Sequence, residues 1–160
     1  VRYLVLPLVL VALAGCASGP SYEEPIPRAT YQKGVNIAPY AGAASDPGSP
    51  AATALGTRYQ VGAVSSAAAD WARWPAGTQF RVLATGEIFE VDDFTDDIVG
   101  TNTLLLYKPA SDPNQPPRSV TIEILRWGSP AASAEILRQQ RSSTAKKILE
   151  ELLARYPDRR

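Results

Sequence analysis

The chain has 160 residues, balances 16 Lys+Arg against 16 Asp+Glu, and contains one Cys, no His and no Met. Without histidine there is no Ser–His–Asp triad, no Cys–His pair and no His-ligated metal centre, and a lone cysteine forms neither an intrachain disulfide nor a CxxC centre. Zero net charge lacks the basic field that displaces counterions from nucleic acid, so no nucleic-acid partner is expected; no cofactor is implied, and carboxylates are the expected chemical agents.

Residues 1–15 begin with one positive charge, Arg2, followed by an apolar run that leads into Leu13-Ala14-Gly15-Cys16. The run is too short to span a bilayer, which takes about 20 residues, and it has the tripartite form of an export signal. Its ending resembles the bacterial lipobox, in which small residues precede a cysteine that becomes lipid-modified. That resemblance implies diacylglyceryl and palmitate chains on Cys16, a membrane contact through that residue, and the cell envelope as the location. Ala17 follows the cysteine, which by the same resemblance favours the outer membrane, with the chain facing the periplasm.

Residues 16–55 read as a flexible tether. Six prolines and four glycines fall between 17 and 55, with Ile26, Val35, Ile37 and Leu55 as the only aliphatic side chains besides alanine, too little apolar surface to offset the ordering of the chain. Tyr22, Tyr31 and Tyr40 recur in this stretch, either packed on the folded part or incidental to a coil.

Residues 56–128 read as a small domain of five or six short strands. Arg58–Val64 alternates weakly; Gln79–Ala84 and Glu87–Val91 flank Thr85-Gly86, a hairpin turn; Thr103–Tyr107 is an apolar run; Ser119–Leu125 alternates clearly. So many short strands remove their open edges most simply by closing, so the expected fold is mainly β, a small six-stranded barrel with a C-terminal helical extension. In residues 129–160, Ser129-Pro130 is a helix start, Leu137, Ala145, Ile148, Leu149, Leu152 and Leu153 mark one apolar face, and Arg141-Ser142-Ser143-Thr144 divides the stretch into two segments. Seven basic and four acidic residues from Ala131 onward give an amphipathic basic surface, suited either to packing on the barrel or to contact with anionic lipid or glycan.

Two stretches carry a family resemblance. In Ala69-Asp70-Trp71-Ala72-Arg73-Trp74-Pro75-Ala76-Gly77-Thr78, an aspartate is followed five residues later by Pro-x-Gly-Thr; Val91-Asp92-Asp93-Phe94-Thr95-Asp96-Asp97-Ile98-Val99-Gly100 sets Asp93 before Ile-x-Gly. Together they resemble the three-aspartate (3D) domain of the membrane-bound lytic transglycosylase A family, a double-psi β-barrel. The resemblance covers less than half of the chain. Asp70 and Asp93 take the places of the first two aspartates, but Leu104 stands at the third, Thr95 and Asp96 replace paired glycines, and Val99 replaces a lysine. The resemblance implies a barrel that binds peptidoglycan glycan strands, a weak or degenerate lytic transglycosylase.

That reaction needs one carboxyl group, which protonates the glycosidic oxygen and then, as carboxylate, takes the proton of the attacking sugar hydroxyl. An aspartate serves only if burial or neighbouring charge raises its pKa. Glu87, Glu90, Asp92, Asp93, Asp96 and Asp97 crowd one loop, and Asp93 is the first choice of acid, with Asp70 its partner across a groove. Asp96, Asp97 and Gly100 are the expected substrate-binding residues beside them, with Trp74 as an exposed stacking surface at a strand entrance. The same acids also suit a solvated turn in which Asp93 or Asp96 accepts from loop amides, or a calcium site, although no metal site is assigned. The alternative function is a non-enzymatic envelope lipoprotein whose barrel and basic helix bind a protein partner.

Overall fold

A computed structural model of the chain describes residues 30–42, 52–109, 111 and 115–157. The signal segment and Cys16 lie outside the described residues, as does most of the Pro-rich linker. Six strands, β1 (Tyr31–Tyr40), β2 (Ser65–Ala68), β3 (Gln79–Val82), β4 (Ile88–Asp93), β5 (Thr103–Tyr107) and β6 (Arg118–Arg126), are followed by α1 (Pro130–Gln139) and α2 (Ser143–Arg155). The strands close in the order β1-β5-β2-β4-β3-β6. Two neighbouring pairs are parallel, β1 with β5 and β2 with β4, and the other four are antiparallel. The fold class expected from the sequence, a mainly β six-stranded closed barrel with a C-terminal helical extension, is the fold observed.

Two segments differ from the sequence expectation. Composition assigns 31–40 to the tether, but those residues form the longest strand and close the barrel between β5 and β6. The aliphatic residues are few but fall two apart, Val35 and Ile37, and both are buried. Alternation, not abundance, is what one inward face requires. Conversely, Arg58–Val64 forms no strand: only Arg58 makes a bridge, to Ala52, and the strand lies just beyond, at Ser65–Ala68. That segment is built of serine and alanine, so its apolar signal is weak. Small side chains suit a strand enclosed by β4 on one side and β5 on the other, with Ser66, Ala67 and Ala68 all buried.

The core is continuous from barrel to helices. Val35, Ile37, Phe80, Val82, Phe89, Val91, Leu104, Leu106, Ile122 and Ile124 alternate inward from five strands, and Ala134, Leu137, Ala145, Ile148 and Leu152 from the helices join the same cluster. The basic stretch thus packs its apolar face on the barrel and turns Lys146 and Lys147 to solvent. Ser129 Oγ accepts from the Ala132 amide to start α1, and Ser142 Oγ accepts from the Ala145 amide to start α2, so the predicted break falls where a second cap restarts the helix. The docking is specific: the Ala76 amide donates to Ser133 Oγ at 2.9 Å, and the amide of Gly128 donates to Thr78 Oγ1 at 3.0 Å. A Cβ at Gly128 would stand 2.1 Å from the Ala76 carbonyl oxygen, so this approach of chain to chain requires glycine. Among the described residues no helix is long and apolar enough to cross a membrane.

Candidate functional site

The two stretches that carry the family resemblance meet in space. The Ala69 amide and the Trp71 Nε1–H both donate to the Asp93 carbonyl oxygen, at 3.0 and 2.9 Å. Asp70 Oδ1 accepts from the Ala72 amide at 2.9 Å and Oδ2 from the Gly100 amide at 3.0 Å. Gly100 adopts φ +78°, a left-handed conformation that favours glycine and aims its amide at the carboxylate. Asp70 is therefore a buried brace that fixes the turn after β2 to the loop before β5.

Asp93 is also buried and also engaged. Its Oδ2 accepts from the Tyr59 hydroxyl at 2.5 Å and the Tyr40 hydroxyl at 3.2 Å, and its Oδ1 accepts from the Ala54 amide at 3.0 Å. Tyr59 stacks on Tyr107 at 4.8 Å between centroids and meets Tyr40 edge-on at 6.0 Å. Burial, then the hydrogen bond with Tyr59 and the charge of Asp93, push the Tyr40 hydroxyl well above its ordinary range, so it stays protonated as a donor. Asp93 ties the end of β1 and the 52–57 loop to β4. Among the described residues the Asp70 and Asp93 carboxylates share no hydrogen-bond partner, and each ties separate chain segments together.

The remaining expected site residues are dispersed. Trp74 is fully buried, its Nε1–H donating to Gln32 Oε1 at 2.9 Å, which corrects the expectation of an exposed stacking surface: a barrel this small needs its large rings inside. Asp96 is exposed and accepts from the Thr144 hydroxyl on α2, Asp97 is exposed, and Gly100 is the partner of Asp70. Among the described residues no group of three or more His, Cys, Asp or Glu side chains is placed to hold a metal ion.

A different carboxylate lines a cavity. The parallel pairing of β2 with β4 runs Ser65 with Phe89, Ser66 with Glu90 and Ala67 with Val91, then slips so that Ala68 pairs with Asp93. Asp92 is the extra residue of that bulge, the device by which a strand re-aims a side chain. In a regular strand Asp92 and Asp93 would face opposite ways; here both are 7% exposed. Ser66 Oγ donates to Asp92 Oδ2 at 2.5 Å and accepts from the Gln60 amide at 2.9 Å, while Asp92 Oδ1 is buried with no hydrogen-bond partner among the described residues. Burial raises the Asp92 carboxyl from 3.8 to about 6; the Ser66 hydrogen bond works against the rise, and the nearby charges of Asp93 and Glu90 add to it.

Asp92, Glu90, Ser65, Ser66, Gln60 and Thr57 line a cavity of about 240 Å³ with Leu55 and Val64 as its apolar wall. Glu90 is fixed there through Oε2, which accepts from Gln79 Nε2 at 2.6 Å and pairs with Arg126 at 3.1 Å. Carboxylates, hydroxyls and an amide thus surround a small apolar patch. The acid crowding visible in the sequence thus converges on Asp92, one residue from the first choice; no sequence signal reveals the slipped register that selects it. The sequence matches no protein-family model and no curated protein.

Proposed function

We propose that the chain is a lipid-anchored cell-envelope protein, held through Cys16, whose barrel binds peptidoglycan glycan strands at the Asp92 cavity. The observation that carries the reading is the bulged, buried Asp92 in a wall of hydroxyl, amide and carboxylate groups. The proposal is supported by the closed barrel with two parallel pairs, which is compatible with a double-psi architecture, and by the junction of the two motif stretches through Asp70, Gly100 and Asp93. Protonated Asp92 donates to a sugar oxygen; ionised, it accepts from a sugar hydroxyl. Cosedimentation of the full chain with purified sacculi tests the reading. The wild type is expected to pellet, Gln60→Ala to pellet weakly, and a wild type that stays in the supernatant would refute it.

One observation favours a second reading, lytic transglycosylation with Asp92 as the single acid and base. A carboxyl held at about 6 is both a proton donor and, once ionised, a base near neutral pH. Release of 1,6-anhydromuropeptides from sacculi by the wild type and not by Asp92→Asn supports that reading; binding without release leaves the protein a non-catalytic glycan binder.

A further inference from the structure

The Asp92 cavity carries a charge pattern beyond its hydroxyl and amide lining. Its described lining residues include two carboxylates, Asp92 and Glu90, and no lysine or arginine. The other polar groups of the wall, Thr57, Gln60, Ser65 and Ser66, are uncharged. Like charges brought together in a concavity focus the potential there and draw in the opposite sign.

Asp92 is the uncompensated member of the pair. It is only 7% exposed, Ser66 is the one side chain that donates to it among the described residues, and its Oδ1 is buried with no partner there. No described ion pair includes it. Glu90 pairs with Arg126, but that contact and the bond from Gln79 both fall on Oε2. The other charged group beside Asp92 is Asp93 on the same strand, and β2 presents only serine and alanine. A buried carboxylate in such surroundings is matched either by a proton or by a cationic ligand. Burial raises this carboxyl to about 6, so at neutral pH the proton is mostly gone and the charge remains to be matched.

We propose that the cavity selects a ligand bearing a protonated primary amine, with Asp92 and Glu90 as its counter-charges. Two carboxylates fall short of the about six to eight oxygens that calcium takes. An ammonium needs only acceptors for its three N–H donors, which carboxylates and hydroxyls supply, and Leu55 and Val64 offer its carbon skeleton an apolar wall. The volume, about 240 Å³, lies below that of drug-sized pockets and suits a single residue of a polymer. In the cell wall this chemistry has two sources, a de-N-acetylated amino sugar and the side-chain amine of a diamino acid in a stem peptide. The inference rests on the reading of this cavity as a binding site and names the group it recognises.

The test is titration of the isotope-labelled full chain in detergent, followed by the amide shifts of Gln60, Ser65 and Ser66. The probes are glucosamine, the neutral N-acetylglucosamine, and Nα-acetyl-lysine amide, which carries a side-chain ammonium without a sugar. At pH 7 saturable shifts are expected with at least one amine, about tenfold or more tighter than with N-acetylglucosamine. A response to glucosamine alone of the two amines assigns an amino sugar, to the lysine derivative alone a stem-peptide side chain, and to both a general ammonium site. The lysine derivative stays protonated below about pH 8, so its affinity should rise from pH 5 to 7 as Asp92 ionises. Asp92→Asn is expected to abolish both the amine preference and this rise. Glu90→Gln, on a partly exposed side chain, should weaken amine binding severalfold and carries the test should Asp92→Asn fail to fold. No saturable shift with either amine, N-acetylglucosamine bound as tightly as the tighter amine, or equal amine affinity in variant and wild type would overturn the inference. Cosedimentation with sacculi separates it from the broader reading: a wild type that pellets without an amine preference keeps glycan binding and loses this inference, whereas amine-dependent shifts in a chain that does not pellet do the reverse.

Discussion

Asp92→Asn isolates the buried carboxyl on which the candidate site depends. The asparagine keeps an acceptor for the Ser66 hydroxyl, which now donates to Asp92 Oδ2 at 2.5 Å, and removes the titrating group. Because burial raises the folded-state pKa from 3.8 to about 6, the folded chain binds this proton more tightly than the unfolded chain. The stability it contributes is full below about pH 4, is lost as pH rises toward 6, and stays lost above. At about 1.4 kcal/mol per pH unit the full loss is at most about 3 kcal/mol. The Glu87 carboxyl runs the other way: its hydrogen bond with Lys108 holds it below the ordinary range, so its contribution is present at neutral pH and fades in acid. A stability curve of the wild type alone therefore mixes opposing trends, whereas the difference between variant and wild type does not. Urea unfolding at intervals from pH 4 to 7.5 should show Asp92→Asn gaining on the wild type by about 2–3 kcal/mol across that window. A difference that stays constant with pH, or falls as pH rises, would refute the raised pKa and with it the acid role of Asp92.

Three further substitutions test what holds the site in place. Tyr59→Phe removes the shorter of the two phenol bonds to Asp93 and should cost about 2 kcal/mol in urea unfolding, with a coupling to Tyr40→Phe in a double-mutant cycle because both hydroxyls serve one oxygen. Asp70→Ala strands the amides of Ala72 and Gly100. It should cost about 2–3 kcal/mol and speed hydrogen exchange at Gly100 more than at β6, where an unstructured-loop account of Asp70 expects no change. Gly128→Ala drives a methyl into the Ala76 carbonyl; a loss of about 3 kcal/mol is expected by thermal unfolding, and a neutral outcome would contradict the close docking of the helices.

Much of this fold is legible in the sequence. Thr103–Tyr107 becomes β5 with the same ends, an apolar run of three leucines of which Leu104 and Leu106 are buried. Ser129-Pro130 starts α1 because both residues satisfy local rules that tertiary structure rarely overrides. What local pattern misses is set by closure. β1 draws its stability from pairing with β5 and β6, long-range partners that a Pro- and Gly-rich window does not announce, and β2 from enclosure of small residues.

The site divides along the same line. Asp70 and Asp93 stand out in the sequence for their motif positions, and in the structure their carboxylates bind amides and phenols that brace the chain. Asp92 belongs to the same acidic run and differs from Asp93 only by the slipped register of β2 on β4. A bulge depends on the partner strand, so the choice between adjacent aspartates is made by pairing and not by spacing. Tyr40 and Tyr59, the donors to Asp93, come from a segment read as tether and from one read as a strand, and meet only when the barrel closes.

Quantitative cosedimentation of the full chain with purified sacculi at pH 7 most directly tests the central claim, that the Asp92 cavity binds glycan. Saturable binding by the wild type is expected, reduced about tenfold or more in Asp92→Ala and markedly in Gln60→Ala, whose exposed side chain lines the cavity without supporting the core. No binding by the folded wild type, or binding equal in all three proteins, would contradict the account.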